Sequence, residues 1–163
     1  MELAPVRYDD VQPRNVAAHV DALFPDGVSQ HGEQYLLRGT SAADHVSPNI
    51  ELVFEYVRRA LFPEAPSRFT SVFGWETRAD AEVGCTLIPT MGPGTPVWLI
   101  ESDAGHRADM GLLALQGSIL SMSLRAHRYW EGGTLGEDDG TVGHTPAWEL
   151  LMAPPVRVIE RVG

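Results

Sequence analysis

The chain has 163 residues, 44% hydrophobic and 21% charged, with a net charge of −10 at pH 7; one domain of that size can bury a real core, and the acidic balance disfavours general nucleic-acid binding without excluding a local basic groove. No apolar run reaches the roughly 18–20 residues that a membrane span needs, and Met1-Glu2-Leu3-Ala4-Pro5 lacks the basic and apolar blocks of a signal peptide, so a cytoplasmic setting is expected. The single cysteine, Cys85, excludes an internal disulfide and a multi-cysteine zinc site, and since all twelve basic residues are arginine, no lysine can act as Schiff base, general base or P-loop cation.

Val16, His19, Val20 and Leu23 recur at helical spacing and predict a short helix over 10–24. After a turn-rich 26–34, the run Glu33 to Arg38 reads as a strand. Ser47-Pro48 suits a helix start, with serine as cap and proline in the first turn. Ile50, Val53, Phe54, Val57 and Leu61 then give one apolar face, ended by Phe62-Pro63. Phe69–Phe73 is a strand candidate and Glu76–Glu82 a short helix candidate. Cys85–Pro89 and Val97–Glu101 read as strands of a hairpin, with Cys85 a buried strand thiol. Residues 107–130 read as mostly helical despite Gly111 and Gly117, and 131–146 as a Gly/Asp-rich loop. Trp148–Met152 and Val156–Arg161 close the chain as two strands around Ala153-Pro154-Pro155. The expected architecture is one mixed α+β domain over 1–163.

Three segments, in order, carry reactive side chains on or beside apolar runs: Tyr35–Thr40, Ser67–Gly74 and Ala147–Met152. Arg38, followed by Gly39 and Thr40, offers a planar fork for a phosphate, and glycine permits close approach. On local evidence alone, a structural salt bridge or a solvated strand end is the plainer explanation of Arg38. Ser67, Arg68, Thr70 and Ser71 bring hydroxyls and a cation beside Phe69 and Phe73. Hydroxyls can orient a ribose or carboxamide and Phe73 can stack on a flat heterocycle, or the strand simply turns a polar face to water. Glu149 sits inside an apolar stretch, where a carboxylate is costly unless partnered. It lies at an exposed edge or lines a cleft, where it could stabilise an oxocarbenium-like transition state.

Tyr129 and Trp130 wall a pocket or pack in the core. The six histidines show no tight metal spacing. Ser41–His45 holds the residue types of a hydrolase triad without a nucleophile elbow. Gly132-Gly133 and Gly136 form neither a Rossmann nor a P-loop fingerprint, and Asp138-Asp139 reads as a solvated loop tip.

Taken together, Leu37-Arg38-Gly39, Phe69-Thr70-Ser71 with Ser67 nearby, and Glu149-Leu150-Leu151-Met152 before Pro154-Pro155 resemble the Arg–Ser–Glu branch of the ADP-ribosyltransferase superfamily. Pro66 to Phe73 and Tyr129-Trp130 also resemble its little-characterised bacterial and phage members. The resemblance spans 35–161 and implies a split β-sandwich around a central NAD cleft, with N-terminal and intervening helices. NAD would be the co-substrate, with no metal. Arg38, Ser71 and Glu149 would be the catalytic set. Arg38, Gly39, Thr40, Ser67, Arg68, Thr70, Ser71, Phe73 and Tyr129 would line the NAD site. The implied activity transfers ADP-ribose to a macromolecular acceptor and releases nicotinamide, as in a bacterial or phage effector or toxin, whether cytoplasmic or delivered into a target cell. The alternatives are a non-catalytic binding module on the same fold and an NAD glycohydrolase. Arginine-modifying members carry a second glutamate two positions before the catalytic one; Ala147 stands there, so the acceptor stays open. Protein is favoured over nucleic acid as acceptor, a cognate inhibitor is a candidate partner, and no membrane is implied.

Overall fold

The computed structural model describes residues 2–3, 14–38, 46–88, 91, 94–136 and 140–162. Among them the elements run β1 (Glu2–Leu3), α1 (Arg14–Leu23), α2 (Gln30–Leu36), α3 (Val46–Leu61), β2 (Val72–Gly74), α4 (Arg78–Leu87), β3 (Trp98–Glu101), β4 (His106–Asp109), a 3-10 turn (Met110–Leu112), α5 (Ile119–Trp130), β5 (Trp148–Met152) and β6 (Val156–Arg161). The architecture is α+β, with two small antiparallel sheets ordered β1-β6-β3 and β2-β5-β4. The chain changes sheet at Ala153-Pro154-Pro155, where two residues without an N–H cannot extend either ladder.

Register decides which side chains of β5 meet the helices. Glu149 pairs with Ala108 of β4, Trp148 with Asp109, and Leu151 with Phe73 of β2. Period-2 alternation puts Glu149 and Leu151 on the same face. Leu151 and Ala108 join the core formed by Ile50, Phe54 and Val57 of α3 with Ala126, Tyr129 and Trp130 of α5. Phe54 meets Tyr129 edge-on at 5.3 Å between ring centroids, and Trp130 Nε1 donates to Phe54 O at 2.8 Å. On the opposite face the two sheets approach at Gly74. A Cβ there would stand 2.9 Å from Met152 Cε and 3.5 Å from Ile100 Cδ1 of β3.

A second apolar cluster, Val20, Phe24, Val28 and Phe69, ties α1 to the turn ahead of β2. That turn also anchors α2. Ser29 caps the helix by accepting from Gly32 N at 3.3 Å and donates its hydroxyl to Phe69 O at 3.1 Å, while Ser29 N donates to the same oxygen at 2.8 Å.

Several expectations are corrected. Glu33–Leu36 is helical, and Arg38 follows the end of α2 instead of ending a strand. The apolar triplet Tyr35-Leu36-Leu37 is too short to display a period, and the Ser29 cap decides the conformation. Cys85 lies in α4, which runs ten residues from its Thr77 cap, so the expected hairpin does not form and β3 pairs with β6. Residues 67–71 form a turn and β2 starts only at Val72. Residues 107–130 break into β4, the 3-10 turn and α5. Trp148–Met152 and Val156–Arg161 hold to the residue.

Candidate functional site

Four elements converge on one buried polar cluster. Glu51 comes from α3, Arg68 from the 67–71 turn, Tyr129 from α5 and Glu149 from β5; all are 5% exposed or less. Arg68 is the centre. Its Nε and Nη2 fork onto Glu51 at 2.9 and 3.0 Å, and its Nη1 donates to Glu149 Oε1 at 2.6 Å and to the Tyr129 hydroxyl. The Tyr129 hydroxyl in turn donates to the same Glu149 oxygen at 2.7 Å. Charged groups this deep persist only when paired and hydrogen-bonded, and each here is both.

The geometry at Glu149 is lopsided. Both donors meet Oε1, and no donor among the described residues engages Oε2. Beside the cluster lies an aromatic edge. The His31 ring packs 4.7 Å from both Tyr35 and Phe73, and the Arg68 guanidinium lies 4.9 Å over Phe73. His31 Nε2 approaches Glu51 Oε1 at 3.0 Å but outside hydrogen-bond geometry, so that contact is electrostatic and depends on the ring carrying a proton.

The electrostatics follow. Burial pushes the Glu51 carboxyl up, but Arg68 and then His31 outweigh it and hold the group at about 2. Burial lowers the Arg68 pKa, yet Tyr129, Glu149 and Glu51 around it raise it well above its ordinary value. Tyr129 is raised, first by burial and then by the Glu149 charge, against the pull of Arg68. Its hydroxyl therefore keeps its proton and remains a donor. His106, whose Nε2 lies 3.2 Å from Tyr129 O, is lowered by burial, which the Tyr129 carbonyl and Glu149 offset only in part.

The structure gathers some of the expected site residues and separates others. Glu149, Arg68 and Tyr129 are in direct contact, and Phe73 flanks them. Ser71 is buried nearby in sequence, but its hydroxyl donates to Ser67 O at 2.7 Å. Ser67 and Thr70 turn the other way, Ser67 donating to Glu55 at 2.8 Å and Thr70 to Ser67 O at 3.3 Å. Arg38 is exposed and pairs at 3.2 Å with Glu33 of α2, the helix it follows. Gly39, Thr40 and the Ser41–His45 group lie outside the described residues.

Glu51 and His31 are the members sequence reasoning missed. A signal for Glu51 exists: Glu51, Glu55 and Arg58 recur at i, i+4 and i+7 beside the apolar Ile50, Phe54 and Val57. Charge adjoining a core stripe in this way places those carboxylates at the edge of burial.

A separate hub centres on Asp109 at the end of β4, on the face of the β4–β5 pair opposite Glu149. Asp109 is fully buried and accepts from Thr134 Oγ1 at 2.5 Å, Gly111 N at 2.9 Å and Ala147 N at 3.0 Å, with His144 Nε2 at 2.6 Å. Burial raises this carboxyl, but the Thr134 hydroxyl, the Gly111 amide, His144 and the Ala147 amide together lower it. No group of three or more His, Cys, Asp or Glu among the described residues is placed to hold a metal ion, and no described helix is long and apolar enough to cross a membrane.

A family model described as "Protein of unknown function (DUF2441)" matches residues 16–163. The chain belongs to that family. No curated protein matches it.

Proposed function

We propose that this protein uses NAD as an ADP-ribosyltransferase does, cleaving the nicotinamide–ribose bond at Glu149 and passing ADP-ribose to a macromolecular acceptor. The observation that carries the reading is the state of Glu149: Arg68 and Tyr129 fix it through Oε1, and no donor among the described residues engages Oε2. A carboxylate held in that way can accept a hydrogen bond from a ribose hydroxyl and favour positive charge developing on the anomeric carbon. The glycosidic C–N bond breaks with its electron pair leaving on nicotinamide, and the acceptor's nucleophile bonds to the anomeric carbon and loses its proton. Arg68 and Tyr129 touch no reacting atom in this scheme and act as positioning residues. Phe73, half-buried beside Arg68, is the ring available to a flat heterocycle.

Nicotinamide release by purified protein, compared with Glu149→Gln, tests it. The variant keeps an acceptor for Arg68 and Tyr129 but loses the charge. It should lose on the order of 3–4 kcal/mol of transition-state stabilisation, a rate factor of ~10²–10³. Wild-type protein that releases no nicotinamide and labels nothing in a lysate from labelled NAD ends the transferase reading. Free ADP-ribose with no labelled macromolecule would identify a glycohydrolase.

One observation favours a second reading, a non-catalytic binding module. Glu149 is only 5% exposed, and the exposed Arg38 is engaged in an ion pair with Glu33. Saturable NAD binding without turnover is the outcome that reading expects.

A further inference from the structure

An open groove of about 360 Å³ lies between the Leu23–Gly27 turn, the last turn of α3 and the 67–70 turn. Arg68 leaves that turn toward Glu149, whereas Ser67 and Thr70 line the groove. At its base Arg58 and Arg59 share one buried carboxylate, Glu55. Arg58 forks onto it at 2.9 Å through both Nε and Nη2, and Arg59 Nε donates at 2.7 Å. At Glu55 two guanidinium groups share one carboxylate, and across the groove as a whole the exposed Asp26 supplies the second negative charge.

The two arginines differ in what they have left to give. Arg58 is spent, since its Nη1 also donates to Pro63 O at 3.2 Å and Ala65 O at 3.0 Å. Arg59 is held from behind. Its Nε is on Glu55, its guanidinium lies 5.0 Å over the Phe24 ring, and its Nη2 reaches Leu23 O only at 3.4 Å. Its Nη1 has no partner among the described residues, and the side chain is 38% exposed. A guanidinium anchored along one edge and open along the other is pre-organised for a forked bond to an oxyanion. In a chain of net charge −10 this is a local cationic spot. Leu23 and Pro25 give the groove an apolar wall, and exposed Asp26 stands on its rim.

We propose that this groove binds a small phosphomonoester with an apolar or aromatic body. The phosphate sits on the open edge of Arg59 and the body lies against Leu23 and Pro25. Asp26 limits the ligand to one phosphate group, because a longer polyanion would run into its charge. The site does not depend on the NAD reading, since neither Arg59 nor Asp26 touches the Glu149 cluster.

The test is a titration of the full chain with phenyl phosphate, followed by amide NMR shifts. Saturable shifts centred on Leu23–Gly27 and Thr70 are expected, with a Kd on the order of 1 mM. Phenol should give none, and inorganic phosphate should bind the same residues more weakly. Arg59→Gln should weaken binding about tenfold; Glu55 retains Arg58 and Ser67 in that variant, so the fold should persist. Asp26→Asn, which touches no buried group, should tighten binding, and Glu149→Gln should leave it unchanged. No saturable shift with folded wild-type protein, or equal affinity in wild type and Arg59→Gln, overturns the proposal. Should Arg59→Gln fail to fold, an unchanged affinity in Asp26→Asn does the same.

Discussion

Arg68 is the residue on which the polar interior depends. It is the cation that makes two buried carboxylates tolerable, and it does so by geometry as well as charge, with a two-toothed bond to Glu51 and separate bonds to Glu149 and Tyr129. Arg68→Met keeps bulk but strands two buried negative charges. It should cost about 3–5 kcal/mol in urea denaturation, and a loss below about 1 kcal/mol would mean the cluster is far wetter than its burial indicates. Arg68→Lys should rescue little, since an ammonium cannot reproduce the fork. At this scale the sequence was partly legible. Glu149 inside Trp148–Met152 announces a carboxylate needing a partner, and Tyr129 and Arg68 stand among the residues expected at the site. That the partner is Arg68 was hidden, because Arg68 and Glu149 are 81 positions apart in sequence and nothing local records such pairing.

Among the elements, α2 shows why a short apolar run misleads. Its helix is set by the Ser29 cap and by tertiary contact with the Phe69 carbonyl, neither of which alters the hydrophobic pattern of Tyr35–Leu37. The same holds for α4, where Gly84 lets Trp75 lie against the helix: a Cβ there would come within 2.3 Å of the indole. By contrast β5 and β6 are short runs rich in apolar and β-branched residues on either side of Pro154-Pro155, so their limits could be read directly. Gly32 offers a test of the α2 contact. A Cβ at that position would stand 2.1 Å from Phe69 O and 2.9 Å from Val28 Cβ. Alanine is the better helix former by about 1 kcal/mol, yet the clash is with backbone and α2 would have to lift off the turn. Gly32→Ala should therefore destabilise by about 1–3 kcal/mol, and a thermal midpoint at or above that of the wild type would show that α2 docks differently.

For the whole molecule, the folded state is held by carboxylates that must stay ionised. Glu51 sits at about 2 in the folded chain against 4.5 for the free side chain, and Glu55 and Asp109 are lowered as well. A depressed folded pKa contributes stability that is complete above the unfolded value and is lost as pH falls through the folded one. His106, lowered by burial, acts in the same direction from nearer its ordinary 6.5. Stability should thus decline from about pH 6 and fall steeply between about pH 5 and 2, with Glu51 alone accounting for about 3 kcal/mol. Urea midpoints measured across that range check this, and a midpoint unchanged down to about pH 3 would contradict it. The α+β class was visible in the order of elements. The division into two sheets, by contrast, rests on β4 and β2 pairing with β5 while β1 and β3 pair with β6, choices made by strands only two to four residues long on the flanks.

Asp109 has a different kind of consequence. One carboxylate holds Thr134 on one side of the Gly/Asp-rich segment and His144 and Ala147 on the other. The two feet of the segment are therefore clasped at a single point on the frame. Beyond Leu135, which packs on the core, what lies between them can vary in length at little cost to the frame, because the closure entropy of a loop grows only slowly with its size. Among descendants of this chain, that span is where novelty can accumulate while the frame stays constant.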